Sequence, residues 1–209
     1  MNRLLLTVFA IIMAIPVSRA WASPKDPVEV VRSKYEQIRK VVDRNPEKAA
    51  MRKGIRRVMD TFMDFEELSR RTLKGHWKGL KRRQRKAFVK GFKQMIQRTY
   101  VKRFNPNRKV IIDYSRKTLM SDDGTATVYT VVHSGRSEAK VDYRFRRKGG
   151  RWRAFDVIID DVSQVKNYRK QFFRIMNKEG FDGLMARIDR KNRKEKEKEE
   201  RELANEKSR

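Results

Sequence analysis

The sequence predicts an α+β domain, with helices first, an antiparallel sheet of about four strands in the middle, and helices again at the end. Three observations predict it. Apolar residues recur at helical spacing from Val31 to Tyr100. They then alternate with polar residues between 110 and 160, and return to helical spacing after Ser163.

Asp26-Pro27 opens the first helix, the Asp as N-cap and the Pro at the first helical position. Val31, Tyr35, Ile38 and Val42 carry it to about Arg44. Asn45-Pro46 repeats the start signal for a second helix, whose apolar face is Ala50, Ile55, Val58, Met59 and Phe62. Asp64 and Glu67 have capping-box spacing before a short third helix through Leu68 and Leu73, with Gly75 as its stop. A fourth helix spans about Lys81 to Phe104, with Phe88, Phe92, Met95, Ile96 and Tyr100 on one stripe and bases opposite, and Asn105-Pro106-Asn107 ends it.

Val110 to Tyr114 reads as a strand running on toward Met120, followed by an Asp122-Asp123-Gly124 turn. Thr125 to His133 is rich in β-branched residues. Val141, Tyr143 and Phe145 alternate with Asp142, Arg144 and Arg146, giving one buried and one wet face. Lys148-Gly149-Gly150 is a hairpin turn into the returning strand, Arg151 to Asp160. Ser163 caps a helix through Val165, Tyr168, Phe172 and Ile175 that Gly180 ends, and Asp182 starts another.

The ends set the expected compartment. Arg3 precedes the apolar run Leu4 to Val17, and Ala20-Trp21-Ala22 follows, which is the layout of a secretory signal peptide. That run has 14 positions, whereas a bilayer span takes about 20. Cleavage is expected after Ala22. The expected organisation is a signal peptide at 1–22, one domain at 23–189, and a charged Lys/Glu-rich tail at 190–209, either a solvated helix or disorder.

The net charge is +28, and +23 of it falls on residues 23–189. A body this basic is drawn to anionic surfaces: nucleic acid, phospholipid headgroups or acidic proteins. Export from the cytosol counts against nucleic acid.

Catalysis and metal binding are poorly provided for. There is no cysteine, and no HExxH, CxxC or GxSxG arrangement. His76 and His133 fall on different elements, with His76 expected in a packing or capping role. The Asp122-Asp123 and Asp160-Asp161 pairs sit at a turn and a strand end, where neighbouring carboxylates diverge. No metal, no cofactor and no enzymatic activity are expected.

Four sequence blocks go further. They are Asp64-Phe65 leading to Leu68-Ser69-Arg70-Arg71-Thr72-Leu73 and His76-Trp77; Gln84-Arg85 with Phe88, Phe92 and Thr99-Tyr100; Trp152 with Asp156-Val157; and the run Val162 to Phe172 closing with Gly180 and Asp182-Gly183-Leu184. In this order they resemble the MlaC family, also described as toluene-tolerance or ABC-transporter auxiliary proteins, over roughly residues 25 to 189. Two departures stand out: Lys81-Arg82-Arg83 replaces a Ser/Thr-Pro start to the fourth helix, and the tail lies outside the pattern.

The resemblance implies a curved sheet wrapped by helices in a nuclear-transport-factor-like cone, with phospholipid cargo held inside. It implies a periplasmic carrier, monomeric, exchanging lipid with an inner-membrane ABC transporter bearing an MCE-domain subunit and with an outer-membrane lipoprotein complex, and touching membrane surfaces transiently. Such a carrier needs an oily lining. Exposing two acyl chains of roughly 30 methylenes to water costs on the order of 20 kcal/mol.

On spacing alone the apolar residues read as ordinary core. The resemblance implies that they line a cavity. On the helices the candidates are Phe65, Leu68, Leu73, Trp77, Phe88, Phe92, Ile96, Tyr100, Tyr168 and Phe172, and on the sheet Val141, Tyr143, Phe145, Val157 and Ile159. Two alternatives stand beside the carrier: a basic module binding nucleic acid or another anionic surface, and a small enzyme on the same cone-shaped fold.

Overall fold

A computed structural model describes residues 26–45, 47–104, 109–115 and 118–207. The expected signal peptide, the Asn105-Pro106-Asn107 stop and Pro46 lie outside the described residues.

Helix α1 (Pro27–Arg44) starts as its sequence predicts, with the Val28 amide donating to Asp26 Oδ1 at 2.9 Å. Helix α2 (Lys48–Phe62) returns against it, so closely that a Cβ on Gly54 would stand 2.5 Å from Val41 Cγ1. Helix α3 (Phe65–Trp77) is capped by Asp64, whose Oδ1 accepts the Glu67 amide at 3.1 Å. The capping box is only half formed. Glu67 does not reach back to the cap, because three guanidinium groups claim its carboxylate: Arg70 (2.6 Å), Arg71 (2.7 Å) and Arg146 (2.8 Å). The helix runs past the stop expected at Gly75, with a kink at Lys74 (φ 32°). Helix α4 (Arg82–Val101) dispenses with a Ser or Thr cap, since Gln84 Oε1 accepts the Lys81 amide at 2.9 Å from inside the helix.

Among the described residues the sheet is antiparallel in all its strand pairings and has seven strands, of which the four of five residues or more are those anticipated. These are β1 (Val110–Tyr114), β4 (Thr130–Ser134), β5 (Ser137–Lys148) and β6 (Arg151–Ile159); β2 (Leu119–Met120), β3 (Ala126–Val128) and β7 (Val162–Ser163) are short. Strand β5 is the spine. Along one edge it pairs β4 and then β3, and along the other it pairs β6 through the Gly149-Gly150 hairpin, where both φ angles are positive. The β-branched run from Thr125 to His133 is interrupted at Tyr129, where Thr130 gives its hydroxyl to the Val141 carbonyl. The strand anticipated from Val110 onward ends at Tyr114, and Leu119–Met120 pairs a different neighbour, β3.

One bulge shapes the sheet. Arg144 and Phe145 pair Asp156 and Ala154, leaving Phe155 as the extra residue on β6. Two helices are fastened there. The Asp64 amide donates to the Ala154 carbonyl at 2.7 Å, setting the start of α3. Buried Asp156 accepts the Ser163 hydroxyl at 2.6 Å and the Val165 amide at 3.0 Å, setting the start of α5. Ser163 Oγ then accepts the Lys166 amide at 3.1 Å, the N-cap expected of it.

Helix α5 (Gln164–Lys207) is broken at Gly180 (φ 68°, ψ −168°), which divides it into residues 164–179 and 181–207. The second half departs from the expected solvated or disordered tail. Glu195, Glu199, Glu202 and Glu206 recur at i, i+4, i+7 and i+11, so they share one face. That face meets the bases of α2 and α4. Glu195 pairs Lys102 at 2.7 Å, Glu202 pairs Arg52 at 2.7 Å and Glu206 pairs Lys48 at 3.1 Å. Glu199, with its side chain only 10% exposed, pairs Arg56, and also Arg98 at 3.0 Å and Arg52 at 3.9 Å. Nearer Gly180, buried Leu184 and Ile188 pack on α4, and Asn192 Nδ2 donates to the Gly91 carbonyl at 3.0 Å. Lys/Glu alternation disguised this, because the acids that matter are those at helical spacing.

Removing Glu199 would leave three guanidinium groups facing one another with little water. Glu199→Ala is expected to lower stability by about 3 kcal/mol. Urea unfolding measures this, and hydrogen exchange should show residues 190–207 losing protection first. An unchanged midpoint would mean that the tail contributes nothing.

Candidate functional site

The apolar layer between the sheet and its helices collects most of the residues singled out from the sequence. Phe65, Leu68, Leu73, Phe88, Phe92, Ile96, Phe145, Tyr168 and Phe172 belong to one buried cluster, against which Trp77, Tyr100, Tyr143 and Val157 pack. Val141 and Ile159 stand outside it as a cross-strand pair near the β6–β7 end of the sheet.

Within the layer the rings form two groups. On the helix side, Phe92 lies 5.4 Å from Phe88, 5.2 Å from Phe172 and 5.1 Å from Tyr168. On the sheet side, Phe62 meets Tyr143 and Phe145 edge-on at 5.5 and 5.6 Å. Such contacts contribute about 0.5–1.5 kcal/mol each beyond burial. Phe62, Met63 and Trp152 were not among the sequence candidates. Phe62 was visible only as one member of an amphipathic face, and nothing in its spacing distinguishes a core residue from a lining one.

Of the expected lining, Leu73, Phe88, Phe92 and Phe145 are fully buried, whereas Trp77, Tyr100, Val141, Tyr143, Val157 and Ile159 are only partly covered. A groove of about 310 Å³ lies on the helical side, between α4 and the two halves of α5. Its floor includes Met95, Leu184 and Ile188, and of the fifteen candidates it takes in Tyr168 and Phe172. Arg187, Arg190, Lys191 and Lys194 line it as well.

The polar groups of the layer are kept neutral or matched. Burial pushes the Tyr168 phenol up to about 12 and that of Tyr143 higher still, so neither ionises at ordinary pH. Burial also raises Tyr100, whose hydroxyl donates to Gln164 Oε1 at 2.8 Å. Burial alone would raise Glu67, but its hydrogen bonds to Arg70 and Arg71 outweigh that and bring it to about 2. His76 packs edge-on against Phe173 at 4.7 Å, and His133 Nε2 lies 2.9 Å from Asp113 on the sheet. Among the described residues no group of three or more His, Asp or Glu converges as a metal site.

The sequence motifs now have structural roles. Asp64 and Asp156 are the helix anchors at the β6 bulge, and Arg71 lies over Phe155, the bulged residue, at 4.0 Å from the ring. Arg85 donates to the Trp77 and Lys78 carbonyls and closes the turn between α3 and α4.

Comparison with known families decides the affiliation: the model described as MlaC protein matches residues 32–190. The chain belongs to the MlaC family. The match ends just as the ion-paired tail begins, so that segment is an addition to the MlaC pattern. Among solved structures, the MlaC-family chain is similar to a phospholipid-binding protein from Ralstonia solanacearum in complex with a phospholipid. The TM-score is 0.73 at 20% identity, covering 81% of this chain and 98% of that one. A likeness at this identity establishes a shared α+β fold. No curated protein matches the chain.

Glu67 gives a pH test of the α3 anchor. Its folded-state pKa lies below the ordinary carboxylate value, so its stabilising effect is complete above about pH 4.5 and is lost as pH falls toward 2. Thermal unfolding between pH 5 and 2 should show Glu67→Gln with lower stability at pH 5 and a shallower decline. Parallel curves for the two proteins would contradict the assignment.

Proposed function

We propose that this protein is a soluble periplasmic carrier of phospholipid, exported by the signal peptide at 1–22 and moving lipid between inner- and outer-membrane complexes. The observation that carries the reading is a continuous apolar layer between a bent antiparallel sheet and aromatic helices, in a chain of the MlaC family. The phospholipid held by the similar Ralstonia protein supports it. Among the described residues no helix is long and apolar enough to cross a membrane.

The proposed lining is the set of residues identified above, now extended by Phe62 and Trp152. Acyl chains enter as α4 and α5 move off the sheet, with ring–lipid contacts replacing ring–ring contacts. Exchange of one apolar contact for another is close to neutral, which a carrier needs if it is to release its load. Opening the layer to water instead costs about 25 cal/mol for each Å² exposed. Neutral Tyr143 and Tyr168 suit such a lining. The headgroup remains at the rim, where guanidinium groups can meet its phosphate bidentately. The partners in this reading are an inner-membrane ABC transporter with an MCE-domain subunit and an outer-membrane lipoprotein complex. The protein binds and releases its cargo without chemical change, and needs no cofactor.

Native mass spectrometry of protein purified from an envelope fraction is the test. A mass increment equal to one phospholipid, released by detergent, is expected. Protein that is consistently free of lipid, and stays so after incubation with phospholipid vesicles, would overturn the reading.

A further inference from the structure

The tail is close to charge balance in sequence, with nine bases and six acids from 190 onward. Folding sorts those charges. Glu195, Glu199, Glu202 and Glu206 are spent on the bases of α2 and α4. What the helix turns outward is a different set. Arg190, Lys191, Lys194, Lys198 and Arg201 are all exposed and recur at helical spacing, forming one basic stripe about 17 Å long. Of the two remaining acids, Glu200 is paired with Lys196 at 3.5 Å, and Glu197, three residues after Lys194 and four before Arg201, offsets one of the five positive charges. Arg187, next along the helix, is held by Glu179 at 2.8 and 2.5 Å and adds little free charge.

The stripe borders the groove between α4 and the halves of α5. Arg190, Lys191 and Lys194 form its edge, while Met95, Phe172, Ile175, Leu184 and Ile188 give it an apolar floor. Cations standing over an apolar trough match the section of a lipid leaflet, phosphates above and hydrocarbon beneath. A nucleic acid would call instead for exposed aromatic platforms beside the bases, and the groove's aromatic residues, Tyr168 and Phe172, are buried in its floor.

We propose that the exposed face of residues 190–201, with the adjoining groove, is a docking surface for an anionic phospholipid bilayer, and that the inward acids exist to hold it in place. The inference rests on the carrier reading for its choice of a membrane among anionic partners. It goes beyond that reading in assigning membrane contact to a segment outside the MlaC match. Docking by this face sets the molecule's orientation on the leaflet and brings the α4–α5 edge of the apolar layer to the lipid.

The experiment is flotation of the full chain with vesicles of phosphatidylcholine alone or mixed with phosphatidylglycerol, at physiological salt. Three proteins are compared: wild type; Arg190→Gln/Lys191→Gln/Lys194→Gln; and Arg82→Gln/Arg83→Gln/Lys86→Gln, which removes equal charge from exposed positions of α4. Wild type is expected to bind only the anionic vesicles. At about 1 kcal/mol per base at the surface, the tail variant should bind about 100-fold more weakly, and the α4 variant close to wild type. Native mass spectrometry of the same preparations separates docking from carriage, and the tail variant is expected to keep its bound lipid.

Equal binding by the tail variant and wild type, or an equal loss in the α4 variant, would overturn the inference. So would wild type that binds neither vesicle, or that prefers polyglutamate to the anionic vesicles. A tail variant that loses bound lipid together with vesicle binding would assign the stripe to carriage and overturn docking, whereas lipid-free wild type that still binds vesicles would overturn carriage alone.

Discussion

The architecture depends on how two carboxylates are held at one irregular point of strand β6. Asp156 is 2% exposed, so its charge must be met by hydrogen bonds, and it takes them from Ser163 and from the first turn of α5. Asp64, 4% exposed, caps α3 while its own amide is bound to Ala154, two residues from Asp156. Hydrogen bonds to a buried charge contribute about 1.5–3 kcal/mol each, and losing them strands that charge in a medium that cannot solvate it. The bulge at Phe155 makes the arrangement possible, because the extra residue lets neighbouring β6 positions serve both helix starts.

Fastening α3 and α5 at their N-termini has a mechanical consequence. Between those anchors and Gly180 the helices are held to the sheet by aromatic and aliphatic contacts, which are non-directional. Polar contacts fix where the helices start; apolar contacts leave open how far they stand from the sheet. The ion pairs of residues 195–206 bind the second half of α5 to α2 and α4, outside the layer. Proposed carriage uses the inner layer and proposed membrane docking its outer edge, and the two meet at Tyr168 and Phe172.

Much of this was legible in the sequence, for identifiable reasons. Asp26-Pro27, Asp64 and Ser163 are short-range capping signals, and each is realised. Of the alternating Val141, Tyr143 and Phe145, Phe145 is buried and Tyr143 packs on the cluster while Val141 stands outside it, and Gly149-Gly150 form the hairpin as expected. The capping box at Glu67 misled because its carboxylate is claimed by Arg70 and Arg71, three and four residues on, and by Arg146 of β5. The tail misled for a similar reason: its acids look solvated until α2 and α4 are placed opposite them. Phe62 was legible only as one member of an amphipathic face, and the groove beside Leu184 and Ile188 had no local signal. Periodicity reports that a residue is covered, and whether protein or ligand covers it depends on how far apart the layers stand.

That separation is the quantity on which the account turns, and Trp152 is placed to report it. It lies on β6 on the covered face, 5% exposed and two residues from Ala154. In the mature chain that cleavage after Ala22 would leave, Trp77→Phe makes it the sole tryptophan. Bromine on an acyl chain quenches tryptophan only at contact. Loading this variant with phospholipid brominated along its chains should quench Trp152 emission, while unbrominated lipid leaves it bright. Full emission with bound brominated lipid would place the chains outside the layer between sheet and helices and contradict the account.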